Sequence, residues 1–169
     1  HGAGLSTPPV SLLVAFSMLG PVTIHMILPS LPHLQAEFGA DFATTQLLIS
    51  LFVLAFGGGQ VLVGPLADLW GRRTVLCGGM ALFTLSSVLC AMAPSLEALI
   101  ALRVVQGLAA CTGTVLSRAI IREFHAPAAS TRILRYLAMG ISIGPIVAPT
   151  AGGVLFEMAG WRTPYWTLA

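Results

Sequence analysis

The chain alternates between long apolar stretches and short segments that carry the charges. Since a helix needs about 20 apolar residues to cross a bilayer, every uncharged window is long enough for one span. The windows without Asp, Glu or Arg are 1–36, 42–67, 74–96 and 136–156, and a fifth apolar stretch contains the single charge of Arg103. The predicted spans are 9–31, 46–68, 75–94, 97–121 and 135–157, with a sixth beginning near Pro164.

Composition supports a membrane protein. Hydrophobic residues make up 56% of the chain and charged residues 8%, whereas a soluble domain carries about 25% charged residues. That much apolar surface does not fit one small core, which excludes a water-soluble monomer. Spans of this length satisfy their backbone only as helices, so the predicted fold is all-α. All eight basic residues are Arg without a basic run, which excludes nucleic acid as a partner.

The loop charges predict the orientation. Six of the eight Arg lie in or beside the connections 69–74 and 122–134, which are therefore expected in the cytoplasm. The connections 32–45 and 94–97 carry acids and no Arg, so they are expected outside. The N-terminus is then cytoplasmic.

Arg103 is the residue whose burial in the membrane costs the most free energy in the predicted spans. An Arg in hydrocarbon costs about 3 kcal/mol or more unless it faces water or a partner. Gln106 lies one turn later on the same face, so the pair predicts a polar face directed at a cavity. The alternative is that Arg103 reaches the outer interface, because Glu97 stands only six residues earlier.

His25 lies in the first span between two apolar neighbours. A histidine titrates close to neutral pH and is a candidate proton carrier. The alternative is a neutral ring bonded to a carbonyl or hydroxyl. Pro21, Pro29 and Pro32 predict a bend in this span.

Two further segments attract attention. Gly64–Arg73 joins spans two and three, and Gly71 allows a tight reversal there. Asp68 is close enough to pair with Arg72 or Arg73, or to accept hydrogen bonds from a neighbouring helix N-terminus; a plain cytoplasmic turn is the alternative. In span five, small residues recur every fourth position and predict a close-packing face, which either slides on its partner helix or packs statically. The small residues are Gly140, Gly144, Ala148 and Gly152, and Gly153 follows them. Pro145 and Pro149 remove two backbone donors and weaken the same helix.

No catalytic, nucleotide-binding or metal-ligand motif is present, so the chain is not expected to be an enzyme or to need a cofactor. The three cysteines lie in apolar runs without metal-ligand spacing and are interpreted as small buried hydrophobes.

The motifs resemble those of the major facilitator superfamily, and within it the bicyclomycin-resistance and chloramphenicol-efflux branch. Gly64–Arg73 resembles the loop between helices two and three, Leu102–Gly107 the fourth-helix motif, and 140–153 the antiporter motif of helix five. Further matches, in chain order, are Gly20-Pro21, Leu28-Pro29-Ser30-Leu31-Pro32, Gln60, and Ser117-Arg118-Ala119-Ile120-Ile121-Arg122.

The resemblance implies a twelve-helix transporter of the bacterial inner membrane, of which this chain is most of the N-terminal six-helix half. It implies proton-coupled export of drugs by alternating access. Arg103 and Gln106 would then face the cavity, and Asp68, Arg72 and Arg73 would form a cytoplasmic gate against the missing C-terminal half. Because residue 1 is not Met and the sixth span is cut short, the sequence is expected to be a fragment.

Two positions depart from the family pattern. His25 stands where the family usually has Asp. Histidine is cationic when it carries a proton and neutral when it does not, so it would act on a cationic drug in the opposite sense from a carboxylate. Leu69 stands where a basic residue is common, which weakens the charge network of the gate. Two other functions remain open: a facilitator of the same fold for a metabolite or sugar, and a non-transporting membrane scaffold.

Overall fold

The computed structural model describes residues 9–169, and this part of the chain is built from helices without a strand. The elements are α1 (Val10–Met26), a 3-10 turn (Leu28–Ser30), α2 (Leu31–Phe38), α3 (Phe42–Trp70), α4 (Arg72–Ala91), α5 (Leu96–Phe124), α6 (Pro127–Ala159) and α7 (Thr163–Leu168). Five segments are long and apolar enough to cross a membrane, which confirms the predicted all-α membrane fold with five spans. The N-terminus, predicted in the cytoplasm, lies outside the described residues.

The first segment differs from the predicted span 9–31. Helix α1 ends at Met26, and the chain passes through the 3-10 turn into α2. Pro29 and Pro32 fall in the first turns of the 3-10 turn and of α2, where their missing N–H groups are tolerated. The predicted connection 32–45 is therefore helical as far as Phe38. Gly39, with a φ of 59°, then ends α2.

Helices α3, α5 and α6 extend beyond their predicted spans at both ends. Helix α4 instead starts at Arg72 and ends at Ala91, three residues earlier at each end than the predicted span 75–94. Helix α6 starts at Pro127 and ends at Ala159, whereas hydropathy marks 135–157. Hydropathy detects only the part of a helix suited to hydrocarbon, so polar helix ends escape it.

Two side chains cap the N-termini of helices. Asp41 caps α3 by accepting a hydrogen bond from the N–H of Thr44, and Ser95 caps α5 by accepting one from the N–H of Ala98.

Helix α5 is the centre of the bundle. In its apolar window 61% of the residues are buried, against 17% for α6. Helices α3 and α4 both pack mainly on α5 and only slightly on each other, while α1 packs between α5 and α6. Small residues allow this close approach: a Cβ on Gly107 would lie 2.6 Å from the carbonyl oxygen of Phe52.

Candidate functional site

Arg103 is the centre of a buried polar network that joins three helices. Its side chain has 0% exposed surface. Its Nε donates to the carbonyl of Leu48 on α3 at 3.3 Å, and its Nη1 donates to Oε1 of Gln106 at 2.8 Å. Gln106 Nε2 in turn donates to Oγ of Ser87 on α4 at 2.8 Å. The network thus links α3, α4 and α5 at membrane depth.

Two aromatic rings cover the guanidinium. Its Cζ lies 4.3 Å from the ring centroid of Phe52 on α3 and 5.9 Å from that of Tyr165 on α7. Both distances suit a cation–π interaction, which is strongest where water is excluded. Tyr165 is itself 1% exposed, so α7 closes the network from one side.

The positive charge of Arg103 is incompletely compensated. Within residues 9–169 no carboxylate lies in salt-bridge distance of it. Its Nη2 and the hydroxyl of Tyr165 are buried polar groups without a hydrogen-bond partner in this part of the chain. A buried cation without a counter-charge carries a desolvation penalty of several kcal/mol. Carbonyl dipoles, an amide and two rings offset only part of it.

The structure brings Arg103 and Gln106 together, as their spacing of three residues predicts. Both side chains are fully buried among the neighbouring helices of this chain. That they face a cavity shared with a C-terminal half stays a prediction. The outer-interface alternative for Arg103 is not seen. The reason is that α3, α4 and α7 cover this face of α5, and hydropathy does not report which helix covers which face.

His25 does not join this network. It lies half-buried in the last turn of α1, and within the described range its ring makes no hydrogen bond. The alternative interpretation of His25, a neutral ring bonded to a carbonyl or hydroxyl, is therefore not observed. The side chains and carbonyl around Arg103 come from α3, α5 and α7.

The turn between α3 and α4 forms an ion pair other than the expected one. Gly71, with φ at 84°, ends α3 and starts α4. Arg72 opens α4, and its Nη1 lies 2.6 Å from Oε2 of Glu123 in the last turns of α5. The expected pairing of Asp68 with Arg72 or Arg73 is not formed. Because α4 packs along α5, the nearest acid for Arg72 comes from α5.

The other gate residues are more open. Asp68 and Arg73 are exposed, and neither makes an ion pair within residues 9–169. Gly64 is half-buried, and a Cβ there would meet nothing within 4 Å.

The small-residue stripe of α6 packs on α1. A Cβ on Gly140 would lie 3.0 Å from Sδ of Met18, and one on Gly152 would overlap the backbone carbonyl of Met26. Gly144 is in ordinary contact distance of α1, whereas Gly153 faces open space. Pro145 and Pro149 both lie inside the uninterrupted helix α6. The stripe is thus the surface on which α1 and α6 meet.

Comparison with known proteins decides the family. The sequence pattern of the Major Facilitator Superfamily matches residues 11–169. The chain belongs to this superfamily of membrane transporters.

Relatives within the superfamily include proteins named for drug resistance. The chain is 36% identical over 159 residues to the uncharacterized MFS-type transporter YdgK of Bacillus subtilis, covering 93% of this chain and 40% of that protein. It is 32% identical over 155 residues to a chloramphenicol resistance protein of Pseudomonas aeruginosa, covering 90% and 37%. It is 29% identical over 154 residues to multidrug resistance protein D of Escherichia coli, covering 91% and 38%. The chain thus spans about two fifths of the length of these relatives.

Sequence reasoning missed several residues of this major facilitator chain. Glu37 of α2 accepts a hydrogen bond from Trp161 and lies 3.6 Å from Nη1 of Arg162, which ties α2 to the segment before α7. A signal existed here in the opposite charges of Glu37 and Arg162, which lie between apolar segments. Ser87 and Tyr165 gave no signal, since a serine and a tyrosine in apolar runs are common.

Proposed function

We propose that this chain supplies most of the N-terminal half of a transporter that exports drugs in exchange for protons, by alternating access across a bacterial inner membrane. The N-terminus and the α3–α4 turn lie on the cytoplasmic side in this proposal. The observation that carries it is the buried, incompletely compensated charge of Arg103. Relatives named for drug and chloramphenicol resistance support the choice of cargo.

The charge of Arg103 suits coupling for an electrostatic reason. At membrane depth, a fixed cation that lacks a counter-charge strongly penalises any second positive charge nearby and favours a negative one. A conformational change that alters what faces Arg103 therefore changes the free energy of binding a proton or a charged drug. Gln106 and Ser87 hold the guanidinium in place while α7 covers it.

His25 is the proposed proton carrier. It is half-buried on α1. In this proposal one conformation admits water to the ring and the other excludes it. Helix α1 contacts both α5 and the small-residue stripe of α6. A shift of α1 along Gly140, Gly144 and Gly152 would carry His25 with it, and Pro145 and Pro149 weaken the backbone of α6 where such a shift bends it.

The turn between α3 and α4 is the proposed cytoplasmic gate. The Arg72–Glu123 pair clamps the start of α4 to the end of α5. Asp68 and Arg73 remain exposed and are available to a C-terminal half, which is the proposed protein partner. The other partners are drug-like molecules, protons and the bilayer.

The test uses everted membrane vesicles that contain the full-length protein. A pH gradient is built, a cationic or neutral drug is added, and collapse of the gradient is followed by dye dequenching. We expect drug-dependent collapse that His25→Asn abolishes, while His125→Asn, at the end of α5, leaves it unchanged. Arg103→Lys is expected to reduce it about tenfold or more, because an ammonium does not reproduce the two directed bonds of the guanidinium.

Two results would contradict the proposal. Uptake of labelled drug without any proton movement would make the protein a facilitator and His25 a packing residue. Absence of drug movement from folded, membrane-inserted wild-type protein, with no effect of any variant, would favour a membrane scaffold.

A further inference from the structure

The proline inside α1 leaves one backbone carbonyl of that helix without its usual partner. In a regular helix the N–H of residue 21 donates to the carbonyl of Ser17, but Pro21 has no N–H. The hydroxyl of Thr114 on α5 donates to this carbonyl at 3.2 Å and supplies the missing hydrogen bond. Ser17 is 0% exposed and Thr114 is 5% exposed, so water does not compete for the bond in this conformation. Helix α5 thus completes the hydrogen bonding of α1 where its ladder is interrupted.

The hydrogen bond of Thr114 differs from those of the other hydroxyl groups. Within residues 9–169, every other Ser or Thr hydroxyl that donates a hydrogen bond does so to a carbonyl three or four residues earlier in the chain. Thr112 on the same helix is one of these, and it donates to the carbonyl of Ala109 at 2.7 Å. A threonine in a helix has two common rotamers, because its hydroxyl can bond such a carbonyl. Thr114 can therefore release α1 and turn back to its own helix without losing a hydrogen bond.

The two halves of α1 are in tight backbone contact with different helices. Before the proline, a Cβ on Gly113 of α5 would lie 2.5 Å from the carbonyl oxygen of Phe16. After the proline, a Cβ on Gly152 of α6 would overlap the carbonyl of Met26. Helices α5 and α6 contact each other little, whereas both pack on α1. A movement of α6 relative to α5 therefore bends α1 between these contacts, at Pro21.

We propose that Thr114 is a positioning residue that holds α1 on α5 at a hinge formed by Pro21, and that it releases α1 when this helix bends. His25 follows Pro21 by four residues and lies on the part of α1 that α6 contacts. Bending at the hinge moves the imidazole relative to α5 and changes its access to water. The consequence for transport rests on the proposed function of His25 as proton carrier, whereas the hinge is measurable without transport.

The first test is a double-mutant cycle at Thr114 and Pro21. Amide hydrogen exchange of the α1 peptide is measured in the full-length protein in lipid nanodiscs. Thr114→Val keeps the side-chain volume and removes the hydroxyl, so we expect exchange around Pro21 to become about two- to tenfold faster, the effect of one lost hydrogen bond. Pro21→Ala restores an N–H for the carbonyl of Ser17. In that background we expect Thr114→Val to change the exchange rate by less than about twofold.

Two variants separate the hydrogen bond from packing. Thr114→Ser keeps the hydroxyl and loses a methyl group, so we expect exchange at the wild-type rate. A packing role predicts the reverse order, with a normal valine variant and a fast serine variant. Thr112→Val is the matched control, since Thr112 is 6% exposed, bonds its own helix and packs against Gly79 of α4. We expect it to leave exchange of the α1 peptide unchanged.

The second test measures the consequence of the hinge in everted vesicles. If Thr114→Val lets α1 bend without drug, His25 conducts protons without drug. We expect drug-independent collapse of the pH gradient about two- to tenfold faster than in the wild type, in proportion to the exchange rates. His25→Asn in the same variant is expected to remove this leak, and Thr114→Ser and Thr112→Val are expected not to produce it.

Each contrary result overturns a defined statement. An equal effect of Thr114→Val with and without Pro21 overturns the hinge. A serine variant that exchanges as fast as the valine variant overturns the role of the hydroxyl. Exchange that follows the cycle without a proton leak supports the hinge and overturns the proposed role of His25.

Discussion

The indole N–H of Trp161 donates a hydrogen bond to Oε2 of Glu37 over 2.5 Å, although the two residues are 124 positions apart. Arg162 lies 3.6 Å from the other carboxylate oxygen, and the ring of Phe38 meets that of Trp161 edge to face at 5.9 Å. One carboxylate therefore fixes the end of the first membrane segment to the entrance of the last helix.

Replacement of Glu37 tests this contact. We expect Glu37→Ala to lower the free energy of unfolding by about 1–2 kcal/mol, because a charged acceptor is lost and the indole N–H is left without a partner. Glu37→Gln keeps an oxygen acceptor and is expected to cost clearly less. Glu157→Ala is the control, since that exposed acid makes no side-chain bond within residues 9–169. The measurement is thermal unfolding in detergent, and equal melting temperatures for all three variants would contradict the tie.

The stripe of α6 offers a matched pair of glycines. Gly152→Ala forces a methyl group into the backbone carbonyl of Met26, so we expect a loss of about 1–3 kcal/mol. Gly153→Ala places the same methyl in open space and is expected to be neutral or to stabilise by up to about 1 kcal/mol through helix propensity. Unfolding of the two variants side by side decides the matter. If both lose the same stability, α1 does not pack as closely on α6 as the structure has it.

The network around Arg103 predicts a large effect at Gln106. Gln106→Leu removes the acceptor of Arg103 Nη1 and the donor to Ser87, and it leaves more of a buried cation unsatisfied. We expect a loss of about 1.5–3 kcal/mol, the range for a hydrogen bond to a charged group. Gln60→Leu serves as comparison, because Gln60 is half-buried on α3 and makes no side-chain bond in the described range. A Gln106→Leu protein as stable as Gln60→Leu would show that Arg103 does not depend on the amide.

Asp41 predicts a dependence of stability on acid. Its side chain caps α3, and hydrogen bonds from Thr44 lower the pKa of this carboxyl below its ordinary value. The stability that it contributes is complete above the unfolded-state pKa of about 3.9 and is lost as pH falls through the lower folded-state pKa. Asp41→Asn caps without titrating, so its melting temperature should fall less between about pH 5 and about pH 2. Parallel curves for wild type and variant across that interval would exclude a role for this carboxylate.

The sequence predicts the membrane helices well because lipid and charge leave a strong one-dimensional pattern. The pairing of Arg103 with Gln106 also follows from their helical spacing. Burial of both residues under Tyr165 does not follow, because it depends on which helix covers α5. That Arg72 pairs with Glu123 and not with Asp68 does not follow either, because it depends on how α4 packs against α5. Helix α2 escaped detection because its polar, proline-containing sequence shows no apolar run.

The central position of α5 has a consequence for how the chain enters the membrane during synthesis. The carbonyl of Leu48 and the hydroxyl of Ser87 precede Arg103 in the chain, so α3 and α4 are already in the bilayer when α5 arrives. Arg103 then finds its hydrogen-bonding partners on insertion, whereas Tyr165 emerges from the ribosome after it. The order of translation therefore matches the order in which Arg103 first gains its hydrogen bonds and is then covered by Tyr165.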